Sequence, residues 1–555
     1  MKHLIIAVFC FLSVVRLLAQ NETMLFGSKE QYTRADSLRG FLYPERSCYD
    51  VTFYDLHLTL DVLDKTIEGY NDIHFRLLQP SKRIQIDLFA NLDIDSLVWN
   101  GQKCAYAREH NAVFVTIPPI LPSDKHQTLR CYYHGSPTIA KRAPWDGGFV
   151  WKKDSNGKDF ISVACQGIGA SIWFPNKDHQ SDEPDSMRFS CAVPSDLVCV
   201  SNGRLMNKKT DKGNMRYTWQ THYPINNYAI SFYVGDFVLL QDHYISGQDS
   251  LDLNYYVLSD NRESAQKQFA QVKPMLQCFE KYLGRFPFWR DGYKLVEAPY
   301  LGMEHQTAIA YGNNFVNGYL GMDLTRTGIG KQFDYIIIHE TGHEWWGNNV
   351  TTKDIADMWV HESFCTYSES LYVECMFGEE AAQRYVNGYQ GGVDNDRPII
   401  GDYDVNHEGS GDMYGKGALI LNTLRHQIGD DNLWFSILKG INQRFAMQTT
   451  TSKAVIDYIN ERTGQNYTPF FRQYLEKAQP PILRTETTQI NKKRWKISYH
   501  WENANDDFNL PIEANINGKT QKIVPNNTWQ SIVVDAKKSP TFDCNTNKAY
   551  YLLNP

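Results

Sequence analysis

Two histidines four residues apart, His339 and His343 in IIHETGHEWWGNN, flank Glu340. On a helix, positions i and i+4 share a face, so both imidazoles can turn toward one ion while Glu340 projects nearby. A metal held beside a carboxylate can activate water for hydrolysis. By itself the pattern is a weak signal, since the chain contains 16 histidines. A hydrolytic zinc site needs a third protein ligand and an open position. Glu362, in the helically spaced DMWVHESFCTYSESLYVE, fits that need, and a solvated helix glutamate is the competing reading. Glu369 follows seven residues later, two turns along the same face, where a carboxylate can orient a ligand imidazole. A surface glutamate competes with that role too.

These residues need a buried helix, and Phe333 to Ile338 supply an apolar lead-in for one. Gly342 inside it costs ~1 kcal/mol against alanine, which implies close packing at that turn. From Tyr49 to about Leu258 the chain alternates apolar and polar residues in short runs such as VTFYDLHLTLDV, a period-two pattern of strands. Helical spacing takes over near Ser259, with Gly284 a helix stop, and dominates to Gln479. EHQTAIAYG is a strand-like island ahead of the histidines, and RWKISYHWE and WQSIVVD restore alternation after Pro480-Pro481. The expected fold is multidomain α+β. Residues 41–258 form an antiparallel β domain, 259–480 an α-rich catalytic domain with a small sheet, and 481–555 a short β domain.

A chain of 555 residues exceeds one core. Its net charge of −7 argues against a nucleic-acid binder, which normally presents a basic patch. Residues 1–19 read as an export signal, with Lys2 ahead of an apolar run from Leu4 to Val15 and a small residue at Ala19. Residues 20–40 are an N-terminal segment, and no later run is long and apolar enough to span a membrane. The expected location is therefore periplasmic or secreted. Disulfides are permitted there, but the cysteine spacings leave their pairing open, and no Cys-x-x-Cys occurs. Asn-x-Thr sequons occur at Asn466, Asn526 and, inside the histidine motif, Asn349.

Eighteen residues separate His343 from Glu362, and His-Glu-x-x-His with that spacing resembles the zinc aminopeptidase family that includes aminopeptidase N and leukotriene hydrolase. The similarity runs through HETGHEWWGNNVTTKDIADMWVHESFCTYSE. LGMEH (Leu301 to His305) stands where the family has Gly-x-Met-Glu-Asn, and YGKGA (Tyr414 to Ala418) where it has Tyr-x-Lys-Gly-Ala. The resemblance covers residues 41 to about 480. It implies a thermolysin-like catalytic domain, one zinc ion per chain on His339, His343 and Glu362, and Glu340 as general acid–base. It implies Tyr414 as donor to the oxyanion, and Glu304 with Gln166 as the holders of a free substrate ammonium. Gly302 and Met303 belong to the same substrate-binding strand.

Two departures stand out. Leu301 replaces the first glycine and His305 the asparagine, which alters the wall of the first side-chain pocket, and His305 is expected to titrate near neutral pH. Larger members carry a long helical C-terminal domain over the cleft. Here strands follow Pro481 instead, so an open cleft, or one closed by a second subunit, is expected. The implied activity is removal of N-terminal residues from peptides. A zinc endopeptidase and a zinc-bearing binding protein without catalysis are the alternatives.

Overall fold

A computed structural model describes residues 31–120 and 126–554. The export signal expected over 1–19 lies outside the described residues. The first described element is a short helix, Arg34–Gly40, opened by a capping box between Thr33 and Asp36.

The N-terminal part is built on an eight-stranded sheet. Its long strand Tyr49–Asp61 alternates buried and half-buried residues over nearly its whole length. Thr66–Leu77 pairs antiparallel on one side, while Ser186–Pro194 pairs parallel on the other. The sheet is therefore mixed at that point, where alternation alone had suggested antiparallel pairing throughout. A four-stranded sheet packs behind it and includes Asp159–Ala164, whose C-terminal end delivers Cys165 and Gln166.

A five-stranded sheet joins the β and α-rich parts. Its order is Phe237–Ser246, Asp249–Leu258, Tyr293–Glu297, Ile309–Tyr311 and Gly302–Met303. The pairing of Asp249–Leu258 with Tyr293–Glu297 is parallel. The change in sequence character near 258 thus falls inside one sheet, because strands pair by register and not by local composition. The pleat explains how that sheet serves two cores. Leu251, Leu253, Tyr255 and Val257 face the helical core. Tyr256 and Leu258, with Val296 and Ala310, face the β core.

The helical part centres on Tyr335–Gly342 and Trp359–Phe377. Asp334 caps the first of these by accepting from Ile336 N and Ile337 N at 3.1 and 3.3 Å. A disulfide between Cys278 and Cys375 ties Val272–Leu283 to the far end of Trp359–Phe377. After Pro481 come a four-stranded and a three-stranded sheet. Apolar residues of this region, among them Leu483, Trp501, Leu510 and Tyr550, belong to the same continuous core as the helices Tyr335–Gly342 and Trp359–Phe377. Among the described residues no helix is long and apolar enough to cross a membrane.

Candidate active site

The histidine helix is buried along its whole length, as its apolar lead-in requires. It ends at Gly342, and His343 is the C-cap with φ −65° and ψ −18°, which preserves the i, i+4 relation. A Cβ on Gly342 would lie 2.8 Å from Cys365 Sγ, so the missing side chain lets the two helices touch.

Each imidazole has its Nδ1 engaged. His339 Nδ1 lies 2.8 Å from Glu369 Oε1, and His343 Nδ1 lies 2.8 Å from the Trp346 carbonyl. Those partners leave both Nε2 atoms free to face a common point. The Nε2 atoms are 3.3 Å apart, and Glu362 Oε2 stands 3.7 Å from that of His339 and 3.4 Å from that of His343. Tetrahedral zinc with ~2.0–2.1 Å bonds separates its donors by about 3.3 Å. Buried Glu362 Oε2 has no hydrogen-bond partner among the described residues, an unmet need that a cation satisfies. This donor set fits zinc. Although burial opposes ionisation, the neighbouring His343 and His339 hold the Glu362 carboxyl well below the usual carboxylate range.

Cys365, one turn beyond Glu362, also brings a ligand atom within 4.8 Å of the two imidazoles. Its Sγ contacts the His339 carbonyl at 2.8 Å.

Glu340 projects beside this triangle. Burial pushes its carboxyl up to about 7, with the His339 charge opposing and Glu304 reinforcing. Gly302 makes room for it, since a Cβ there would sit 2.7 Å from Glu340 Oε1. Within this chain the space left by the missing side chain is taken by the Glu340 carboxylate.

Glu304 arrives on the loop after Gly302–Met303, and its backbone carbonyl accepts from Asn348 Nδ2 at 2.9 Å. Gln166, from the β part, donates to Glu304 Oε1 at 2.5 Å and reaches Glu362 Oε1 at 3.5 Å. Carboxylate oxygens of Glu304 and Glu340 and a ring nitrogen of His343 all lie within 4.8 Å of one another.

Tyr414 caps the N-terminus of Gly415–Ile428, and its ring stacks 6.1 Å from that of His339. The residue is 38% exposed, yet crowding in the cleft and the carboxylates of Glu362 and Glu304 push its phenol up, which keeps the O–H as a donor. The rest of YGKGA builds the scaffold. Lys416 Nζ reaches the Ala478 carbonyl, and a Cβ on Gly417 would lie 2.5 Å from Ser363 Cβ, next to Glu362.

His339, His343, Glu362, Glu340, Glu304, Gln166 and Tyr414 line one cleft of about 600 Å³, together with Leu301, Met303, Trp145 and Leu324. Trp145 is 66% and Leu324 42% exposed, so its rim meets solvent.

His305 departs from expectation. It is fully buried, its Nδ1 lies 2.6 Å from Tyr233 OH, and burial lowers its pKa to about 3. It therefore stays neutral near pH 7 and does not line the cleft. The Asn349 sequon is also buried, with Nδ2 donating to the Asn442 carbonyl at 3.0 Å, so it does not present a glycosylation surface.

Some site residues gave no sequence signal. Tyr335 stacks on His339, and Tyr385 and Tyr389 both reach Glu369. Among 33 tyrosines nothing local distinguishes them.

Comparison with known proteins follows the same line. Residues 268–474 match the model of the peptidase family M1 domain. Leucyl aminopeptidase of Saccharolobus solfataricus is 21% identical over 493 residues, 84% of this chain and 59% of that protein. Leukotriene A-4 hydrolase of Xenopus laevis is 22% identical over 447 residues, 74% of this chain and 68% of that protein. The chain thus spans 59% of the length of the first of these relatives. The crystal structure of an M1 zinc metallopeptidase from Deinococcus radiodurans has the same fold, with a TM-score of 0.67 at 20% identity over 78% of this chain and 95% of that one. A mutant of the Deinococcus radiodurans M1 zinc metallopeptidase, bound to Tyr-Ser-Ala, gives 0.65 at 20% identity over 79% and 97%.

Proposed function

We propose that this chain, whose residues 268–474 form a peptidase family M1 domain, is a zinc-dependent aminopeptidase that hydrolyses the first peptide bond of peptides with a free N-terminus. One observation carries the reading: Glu304 has a ligand atom within 4.8 Å of those of Glu340 and His343. An ammonium held by Glu304 puts the carbonyl carbon of its own residue about 2.5 Å away, at the reacting groups. Each further extended residue adds ~3.3–3.6 Å, which would carry the scissile carbonyl beyond them. An anchor so close to the base selects the first bond.

His339, His343 and Glu362 would hold one zinc ion per chain. Zinc supplies Lewis acidity toward a carbonyl oxygen and lowers the pKa of water. Glu340 accepts the proton of the attacking water and returns it to the departing amine. Tyr414 donates its hydroxyl to the oxyanion that develops on the carbonyl. Glu304 binds the ammonium, Gln166 fixes the Glu304 carboxylate, and Gly302 and Met303 offer backbone to the substrate. The apolar rim at Trp145, Leu324 and Leu301 shapes the first side-chain subsite.

Hydrolysis of aminoacyl amides should disappear with a chelator and return with zinc. Glu304→Ala should lower kcat/KM for them by at least ~100-fold, the scale of a charged anchor lost from a buried site. Turnover that resists the chelator, or equal cleavage of N-acetylated substrates, contradicts the proposal.

Export to the periplasm or medium is part of this reading. The signal-like segment 1–19 and the Cys278–Cys375 disulfide support it. A mature protein recovered from the producing cell with Met1 retained would refute it.

A further inference from the structure

We infer that Tyr385 and Tyr389 are positioning residues for the metal centre, acting on His339 through Glu369. The inference rests on the zinc reading of the site. The Glu369 carboxylate is fully buried and behind His339, away from the cleft. One oxygen, Oε1, faces His339 Nδ1 at 2.8 Å. The other, Oε2, accepts from Tyr385 OH at 2.8 Å and from Tyr389 OH at 2.5 Å. The two hydroxyls lie 3.3 Å apart, so they converge on one lone-pair region.

A buried carboxylate with one partner can rotate about its last torsion and trade oxygens. Two charge-assisted hydrogen bonds to Oε2 remove that freedom and leave Oε1 pointing at the imidazole. His339 then donates from Nδ1, and its Nε2 lone pair faces the point shared with His343 and Glu362. Tyr335 steadies the same ring from its face, stacked at 5.1 Å and nearly parallel.

The placement of Tyr389 adds a second link. It opens the turn Tyr389–Gly392 and lines the cleft. Its ring comes within 3.3 Å of where a Cβ on Gly415 would sit, next to Tyr414. One side chain thus spans from the carboxylate behind His339 to the turn that carries the oxyanion donor.

The test uses purified full-length protein and zinc affinity from competition with a chromophoric chelator. Phenylalanine keeps each ring and removes only the hydroxyl. Tyr385→Phe combined with Tyr389→Phe should weaken zinc binding by ~10–100-fold, the range for lost partners of a metal-bound histidine. Each single change should produce part of that loss. In a Glu369→Gln background the same pair should change affinity by less than about 2-fold, because the carboxylate through which they act is gone. The absorption of a cobalt-substituted sample should shift in the tyrosine pair as it does in Glu369→Gln. Unchanged affinity in the tyrosine variants overturns the inference, and so does an equal loss with and without Glu369, which would mark a purely structural role. A wild-type chain that binds no zinc overturns the proposed function, and this inference with it.

Discussion

At the scale of single residues, the site is set as much by missing atoms as by reactive ones. Gly302 is the clearest case, because a Cβ there would press 2.7 Å from Glu340 Oε1. A Cβ there would also meet Ile336 Cγ2 at 2.9 Å, on the buried histidine helix, so the change should strain that packing as well as displace the general base. Gly302→Ala is expected to lower Tm and to lower kcat by at least ~10-fold, the scale of a misplaced acid–base group. Equal activity would show that Glu340 works from another position. The pairing of His339 with His343 was readable from sequence because i, i+4 geometry is a local rule, whereas Glu362 was set apart from other helix glutamates only by its family-like spacing from His343. The roles of Tyr414 and Gln166 came from resemblance, since nothing in their own surroundings marks them. His305 was misread because its type suggested titration, whereas burial, which a lone sequence does not reveal, keeps it neutral.

At the scale of elements, two helix contacts hold the chemistry in register. Cys365 packs under Gly342, and Ser363 packs under Gly417, so the helix with Glu362 touches both the histidine helix and the helix after Tyr414. A Cβ on Gly417 meets Ser363 Cβ at 2.5 Å and Cα at 3.1 Å, which no rotamer change relieves. Gly417→Ala should therefore cost ~1–3 kcal/mol by overpacking. It should also separate Tyr414 from the site, seen as a lower Tm together with a lower kcat. A stable variant with full activity would mean the helices have slack that the packing does not show. Helix type and approximate limits were readable from periodicity, as at Gly284, which ends Val272–Leu283 with φ +99°. The glycines in LGMEH and YGKGA were visible only as letters. Their reason lies in side chains that belong to other elements.

At the scale of the molecule, the three regions read from sequence share more than their linear order suggests. Strands on either side of residue 258 join one sheet with a face toward each core. The C-terminal strands bury Trp501 and Tyr550 against the catalytic helices. Pairing and shared burial are long-range facts, and alternation within a strand does not encode its partner. The Cys278–Cys375 bond closes a separation of 97 residues. In the chain-entropy account it contributes at most ~4–5 kcal/mol. Cys278→Ser with Cys375→Ser should lower Tm clearly, and reductant should lower it similarly for the wild type but not for the double variant. A reductant effect of equal size in both would place the labile bond elsewhere.

In the proposed reaction Glu304 measures one residue from the reacting groups. A peptide ladder measures this directly: a decapeptide incubated with the zinc-loaded protein and sampled by mass spectrometry over time. Successive losses of single N-terminal residues are expected, with an N-acetylated copy left untouched. Internal fragments, or equal cleavage of the acetylated peptide, would contradict it.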